Sequence, residues 1–336
     1  MSARSDALSR LGTDAPGLAL AFCVAAAAWG VDQATPIPTM LAALGLGLAL
    51  QPVVPARCAP GIERAAREVL RVGVLLLGAR VTLGDIADLG APIAAMTVGA
   101  LVASFALGVG LARGLGLSDA RAVLSAGAVS ICGASATLAL AAALPREDDP
   151  EKDAIPVVAS ISIIGTVGMV AYPWAARHLG LPDQAIGVYV GATLHEVAQV
   201  VGAGYAVSES AAATAATVKL LRVACLAPMV MAVSLRFRTA RPDGARPPLL
   251  PWFLVGFLAL AAAGSAGLLP RPTATLLGDA SKWALAAALA AIGLKTSPRK
   301  LADAGPKLLG AIVGQTALLA ALVAAAMAVW PALRAG

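Results

Sequence analysis

The sequence predicts an all-α polytopic membrane protein with about eleven (ten or eleven) transmembrane helices. Of its 336 residues, 59% are hydrophobic and only 13% charged, where a soluble domain carries about 25% charged residues. Mean hydropathy is +0.83. The apolar residues come in blocks as long as a bilayer-spanning helix, separated by short polar links. The blocks are continuous, without the alternation that a membrane β-barrel needs.

In chain order the blocks cover 16–30, 38–54, 65–79, 91–112, 119–144, 156–174, 186–207, 216–235, 250–268, 283–294 and 308–330. Arg4 and Arg10 precede the first block, which reads as a retained signal anchor. Bulky Phe22 beside Cys23 argues against lipoprotein processing. The most hydrophilic link, PREDDPEKD (145–153), separates five blocks from six, giving two membrane halves, 1–149 and 150–336. Trp29, Trp174, Trp252, Trp283 and Trp330 all fall at or near block ends, as an interfacial aromatic belt requires. The amino terminus and every second link carry 17 of the 25 Lys and Arg, and the remaining links carry 8. Basic links face the cytoplasm. The expected location is therefore the bacterial inner membrane, with the amino terminus cytoplasmic and the carboxyl terminus periplasmic.

That sorting explains the net charge of +6 without a nucleic-acid partner. Cys23, Cys58, Cys132 and Cys225 form no CxxC pair, so neither a metal ribbon nor a disulfide framework is expected. HEVAQ lacks the second histidine of a zinc-protease HExxH, and no P-loop or dinucleotide fingerprint occurs. No cofactor, no metal and no catalytic role is expected.

GARVTLGDIADLG (78–90) and GLKTSPRKLADAG (293–305) align without gaps, identical at 78/293, 87/302, 88/303 and 90/305. The copies follow the third and tenth blocks, an odd number of crossings apart, so they face opposite sides. Inverted repeats of this kind mark secondary transporters. In each copy a glycine ends one helix, a cation follows (Arg80 or Lys295), and Thr82 or Ser297 caps the next. Asp85 completes a capping-box pattern and Pro298 suits a first helical position. A cation beside a helix amino terminus suits an anion; an ordinary capped surface loop has the same signature.

Two further stretches carry chemistry. In GATLHEVAQV (191–200), His195, Glu196 and Gln199 fall on one helical face, with Thr193 beside them. Ionisable residues within a membrane are costly and suggest a transport path or proton relay, with His195 exchanging protons near neutrality and Glu196 tuning it. A hydrogen-bonded cluster between packed helices is the structural alternative. In SAGAVSICGASATLAL (125–140), Ser130, Gly133 and Thr137 form a small, weakly polar stripe. It serves either close helix packing or, if the helix unwinds around Cys132-Gly133-Ala134-Ser135, ligand contact. Arg71 and Arg222, near block ends, are expected to snorkel to the interface.

Taken together, SICGASA (130–136), GATLHEVAQVVGAG (191–204), LLGARVTLGDI (76–86) and GLKTSPRKL (293–301) resemble the YeiH-type family of bacterial exporters to which sulfate transport is ascribed. The likeness covers most of the chain. That family is similar in fold to sodium/proton antiporters and bile-acid sodium symporters. The resemblance implies inverted repeats, discontinuous helices crossing near the midplane, and alternating access.

The expected function is secondary export of a small sulfate-, sulfite- or sulfonate-like anion, coupled to protons or sodium, by a chain that is a possible homodimer. Arg80, Thr82, Ser130, Cys132, Gly133, Ser135, Lys295 and Ser297 are the candidate anion contacts. His195, Glu196, Gln199 and Thr193 are the coupling candidates. Two alternatives are a passive anion channel and an intramembrane serine protease, in which Ser135 and His195 form an acyl-transfer dyad.

Overall fold

The computed structural model describes residues 2–35, 37–82, 84, 87, 89–145, 150–237, 252–296 and 304–329; for residues 2–12 and for 151 it describes the backbone alone. Among these residues the regular structure is helical. Six segments are long and apolar enough to cross a bilayer: Thr13–Ala34, Gly90–Gly114, Lys152–His178, Glu209–Phe237, Arg271–Lys295 and Pro306–Val329. Thr39–Val53 and Trp252–Ser265 are shorter apolar helices.

The chain divides into two compact units, one of residues 1–85 and 252–297, the other of 86–251 and 298–336. Each unit draws on both sequence halves, so this division by contact is a different statement from the division at residue 149.

The first unit holds α1 (Ser2–Ala34), α2 (Thr39–Leu50), α3 (Ala59–Arg64), α4 (Leu70–Leu77), α13 (Trp252–Ser265) and α14 (Arg271–Lys295). A π-helical turn, Ala65–Val69, joins α3 to α4. Glycines let its backbones meet: Gly17 packs on Gly61, Gly47 on Ala290 and Gly293, and Gly78 on Phe257. Buried Ser281 donates to the Gly73 carbonyl at 2.6 Å, and Asp14 pairs with Arg64 at 2.6 Å.

The second unit holds α5 (Gly90–Gly114), α6 (Asp119–Gly127), α7 (Ala134–Ala141), α8 (Pro150–His178), α9 (Asp183–Thr193), α10 (Val197–Tyr205), α11 (Glu209–Ala224), α12 (Leu226–Phe237) and α15 (Pro306–Val329). Its apolar core is built from α5–α9, α11, α12 and α15, with Leu124, Leu140, Ile161 and Ile312 fully buried.

The breaks expected of discontinuous helices are present, at Gly133 and at Leu194–Glu196, but the broken helices do not run on across. Blocks five and seven both turn back on themselves. Gly127 lies against Leu140, although thirteen residues of continuous helix would hold them about 20 Å apart. Gly187 and Gly204 pack on the adjacent residues Ala211 and Ala212, where a continuous helix would separate them by about 25 Å. Each block is therefore a helical hairpin whose arms of eight to fourteen residues reach about half a hydrocarbon core.

Two contacts fix where the hairpins open. Arg121, in the first turn of α6, pairs with Asp153 in the first turn of α8 at 2.8 Å. Arg177, near the last turn of α8, donates to the Val207 carbonyl just beyond α10 at 2.8 Å. The two hairpins thus enter from opposite ends of α8, and their tips meet beside its middle.

Candidate functional site

The first tip forms because the chain must reverse within one residue. A π-helical turn (Ala128–Cys132) ends α6, and Gly133 then takes φ 61°, ψ −124°, a conformation open to glycine and strained for side chains. Thr137 donates back to the Gly133 carbonyl at 3.0 Å. The second tip reverses through extended backbone: Leu194 has ψ 154° and Glu196 has φ −106°, ψ 145°. There Glu196 and Gln199 form a reciprocal capping box that starts α10. Thr193 donates to Tyr189 of its own helix at 2.6 Å.

The tips touch where Gly133 faces Glu196; a Cβ at 133 would lie 2.9 Å from Glu196 Cγ. Glu196, half-buried, accepts from Ser162 Oγ of α8 at 2.7 Å. Gln199 donates to the Ser162 carbonyl at 3.0 Å. His195 is buried, and its Nε2 lies 3.1 Å from Thr316 Oγ1 of α15. The expected polar face is thus split: the helix breaks between Thr193 and Val197, and His195 and Glu196 engage different helices.

Two cations hold the tips together. Lys219 and Arg222, one turn apart on α11, are 0% and 1% exposed. Lys219 Nζ donates to Ile131 O at 2.7 Å and to Leu194 O at 2.8 Å, one carbonyl from each tip. Arg222 spreads over both tips. Its Nε donates to Ser130 O, its Nη1 to Gly191 O and Leu194 O, and its Nη2 to Val129 O and Ser130 O, at 2.8–3.2 Å. These carbonyls end the arms ahead of each tip, where helices leave acceptors without intrahelical partners and carry negative partial charge. The five Arg222 bonds use all the donors of a guanidinium, while the two Lys219 bonds use two of an ammonium's three. The snorkelling expected of Arg222 does not occur, because its acceptors lie inside the unit.

The other candidates fall in three groups. Ser130, Cys132 and Gly133 are buried at the first tip, and the Ser130 hydroxyl has no hydrogen-bond partner among the described residues. Ser135, in the first turn of α7, is exposed, and among the described residues no hydrogen bond joins it to His195. Arg80 and Lys295 belong to the first unit, where they pair with Asp279 at 2.8 Å and Glu63 at 3.1 Å. Exposed Thr82 is there too, while Asp85, Ser297 and Pro298 lie outside the described residues. No group of three or more His, Cys, Asp or Glu that could hold a metal ion occurs among the described residues.

The chain matches the family described as conserved hypothetical protein 698 over residues 16–312. A UPF0324 membrane protein, TauZ, of Paracoccus pantotrophus is 43% identical over 93% of this chain and 94% of the relative. UPF0324 membrane proteins of Rhizobium meliloti and Chlorobaculum tepidum are 42% and 41% identical, over 94% and 92% of this chain and 93% and 87% of the relatives. The chain belongs to this UPF0324 membrane protein family. No solved structure matches it. The resemblance read from its motifs fits that membership.

In this UPF0324 protein, sequence reasoning missed Lys219 and misplaced Arg222. The available signal was a lysine and an arginine three residues apart inside an apolar run, TVKLLRVACLAPMVM (217–231). Assigning them to a link hid the cost of burying them.

Proposed function

We propose that the chain is a secondary transporter that exports a small sulfate-, sulfite- or sulfonate-like anion, held where the two hairpin tips meet. One observation carries this reading. Two buried cations, Lys219 and Arg222, are bonded to backbone carbonyls, and among the described residues a single carboxylate, Glu196, stands at the tips. Such a cluster favours a bound negative charge. The helix starts at the tips differ in the same sense. The start of α10 is occupied by its own Glu196 carboxylate, whereas no side chain caps α7 at Gly133. The α7 amides, with Ser135 in the first turn, suit an anion. Proton coupling falls to Glu196 and His195, with Gln199 orienting Glu196. Arg80, Thr82, Lys295 and Ser297 serve the part of the repeated element that belongs to the other unit.

Hairpins entering from opposite ends of α8 support an inverted pair. The aligned glycines of the internal repeat, Gly90 and Gly305, share positive φ, 70° and 75°. Because a hairpin leaves on the side it entered, the reading has nine crossings and two half-depth hairpins instead of eleven crossings. The amino terminus stays cytoplasmic and the carboxyl terminus periplasmic, in the bacterial inner membrane. Lys152 joins the basic side, Arg177 leaves it, and Lys219 and Arg222 drop out of the count. The positive-inside asymmetry steepens.

Proteoliposomes test the function. Efflux of sulfate, sulfite or a small sulfonate is expected to saturate and to accelerate with an imposed pH gradient, and Glu196→Gln should remove the acceleration. Flux that neither saturates nor responds to the gradient would instead indicate a passive channel.

A further inference from the structure

Lys219 and Arg222 bind the same kind of acceptor in different ways. Arg222 lays a planar fork across Val129, Ser130, Gly191 and Leu194, a pattern no spherical ion can reproduce. Lys219 instead puts one compact charge between two carbonyls, Ile131 O at 2.7 Å and Leu194 O at 2.8 Å. These acceptors are 63 residues apart in sequence and belong to opposing hairpins. Brought together at the ends of two helical arms, such carbonyls repel each other unless a positive charge sits between them. Converging backbone carbonyls are also the ligand set by which proteins hold free monovalent cations. Glu196, two residues beyond Leu194, adds a carboxylate at the same tip, and its side chain reaches the first tip at Gly133.

We propose that the Lys219 ammonium is a tethered substitute for a free monovalent cation, occupying a carbonyl site shared by the two hairpin tips. The protein then closes its tips without sodium. Removing the side chain turns the position into a binding site for a small cation such as sodium, potassium or methylammonium. Of the two coupling ions expected from the sequence, this leaves the proton.

The inference rests on the carbonyl geometry and stands whether or not an anion is carried, so its test reads melting instead of flux. Full-length protein in detergent is melted in sodium, potassium, methylammonium or choline chloride at equal ionic strength. Wild type is expected to melt at one temperature in all four. Lys219→Ala should melt lower in choline and regain at least half of the loss, about 3 °C or more, saturably in one of the small cations. Arg222→Ala should show no such recovery. Equal melting of Lys219→Ala in every salt, or saturable stabilisation of wild type by sodium, overturns the proposal. Should Lys219→Ala not fold, Lys219→Ser, which leaves a hydroxyl in the cage, is melted in the same four salts, and equal melting in all of them overturns the proposal in the same way.

Discussion

The molecule holds two pairs of cations in opposite circumstances. Arg80 and Lys295, from the repeated element, meet carboxylates at half-exposed positions of the first unit. Lys219 and Arg222, in the second unit, have no exposed surface to speak of and meet backbone carbonyls. The first pair is neutralised by Asp279 and Glu63, so little net field is left. The second pair outweighs the one carboxylate that the described residues place at the tips, Glu196, in surroundings where charge is poorly screened. A repeat found by alignment points to a structural device; a buried charge excess points to a ligand.

The largest effect that separates the pairs is expected at Arg222. Replacing it with Met leaves the carbonyls of Val129, Ser130 and Gly191 without their donor inside the unit, while Leu194 keeps Lys219. Unsatisfied buried acceptors cost about 1–3 kcal/mol each, so the melting temperature should fall by about 10 °C or more. Arg222→Lys keeps the charge but not the fork, and should recover only part of that loss. A melt of Arg222→Met indistinguishable from wild type would show that the fork does not clamp the tips.

Next comes Gly133→Ala. Its φ of 61° strains any side chain, and the new Cβ meets Glu196 Cγ. Strain of about 1–3 kcal/mol is expected, together with loss of most anion flux because Glu196 is displaced. Combining Gly133→Ala with Glu196→Ala should cost less than the sum of the two, since the second change removes the Cγ that the new Cβ meets. Strict additivity would show that the tips do not communicate through this contact.

How far the sequence carried this comparison depends on the residue. Long apolar blocks made the helices legible, because a bilayer demands length and hydropathy whatever the packing. HEVAQ was legible as special because ionisable residues are unusual within a membrane span, and SICGASA as a stripe of small residues that permits close approach. The hairpins were not. An arm of about a dozen residues joined to another through one glycine has the hydropathy of a single span, and only contacts such as Gly127 with Leu140 reveal the reversal. The wheel also misled at His195 and Glu196, because helical periodicity stops at Thr193 and resumes at Val197. Lys219 escaped because nothing in the neighbouring sequence names its acceptors, which come from residues 131 and 194.

Smaller again is Glu196→Gln. The amide keeps the shape of the carboxylate and an oxygen for Ser162 Oγ, so melting should move by less than about 1 kcal/mol equivalent. The expected change is in flux, which should persist while losing its dependence on the pH gradient. His195→Ala is the companion measurement. His195 meets Thr316 and not Glu196, so a coupling role for it predicts a pH effect independent of position 196. If His195→Ala abolishes the gradient response and Glu196→Gln leaves it whole, the proton belongs to the histidine.

The smallest effect, and the sharpest test of the contrast, is Lys295→Gln. Its partner Glu63 is about half exposed and the N–O distance is 3.1 Å; such pairs contribute about 0–1 kcal/mol. Melting should barely change, and anion flux should stay within about twofold of wild type, a difference of less than about 0.5 kcal/mol in transport free energy. Lys219→Gln, measured beside it, should lose flux by tenfold or more, because it removes positive charge where the tips meet. The reverse pattern, flux lost with Lys295→Gln and retained with Lys219→Gln, would move the anion from the hairpin tips to the repeated element. Glutamine keeps a polar chain of similar length at both positions, so the difference between the two variants does not come from lost side-chain volume.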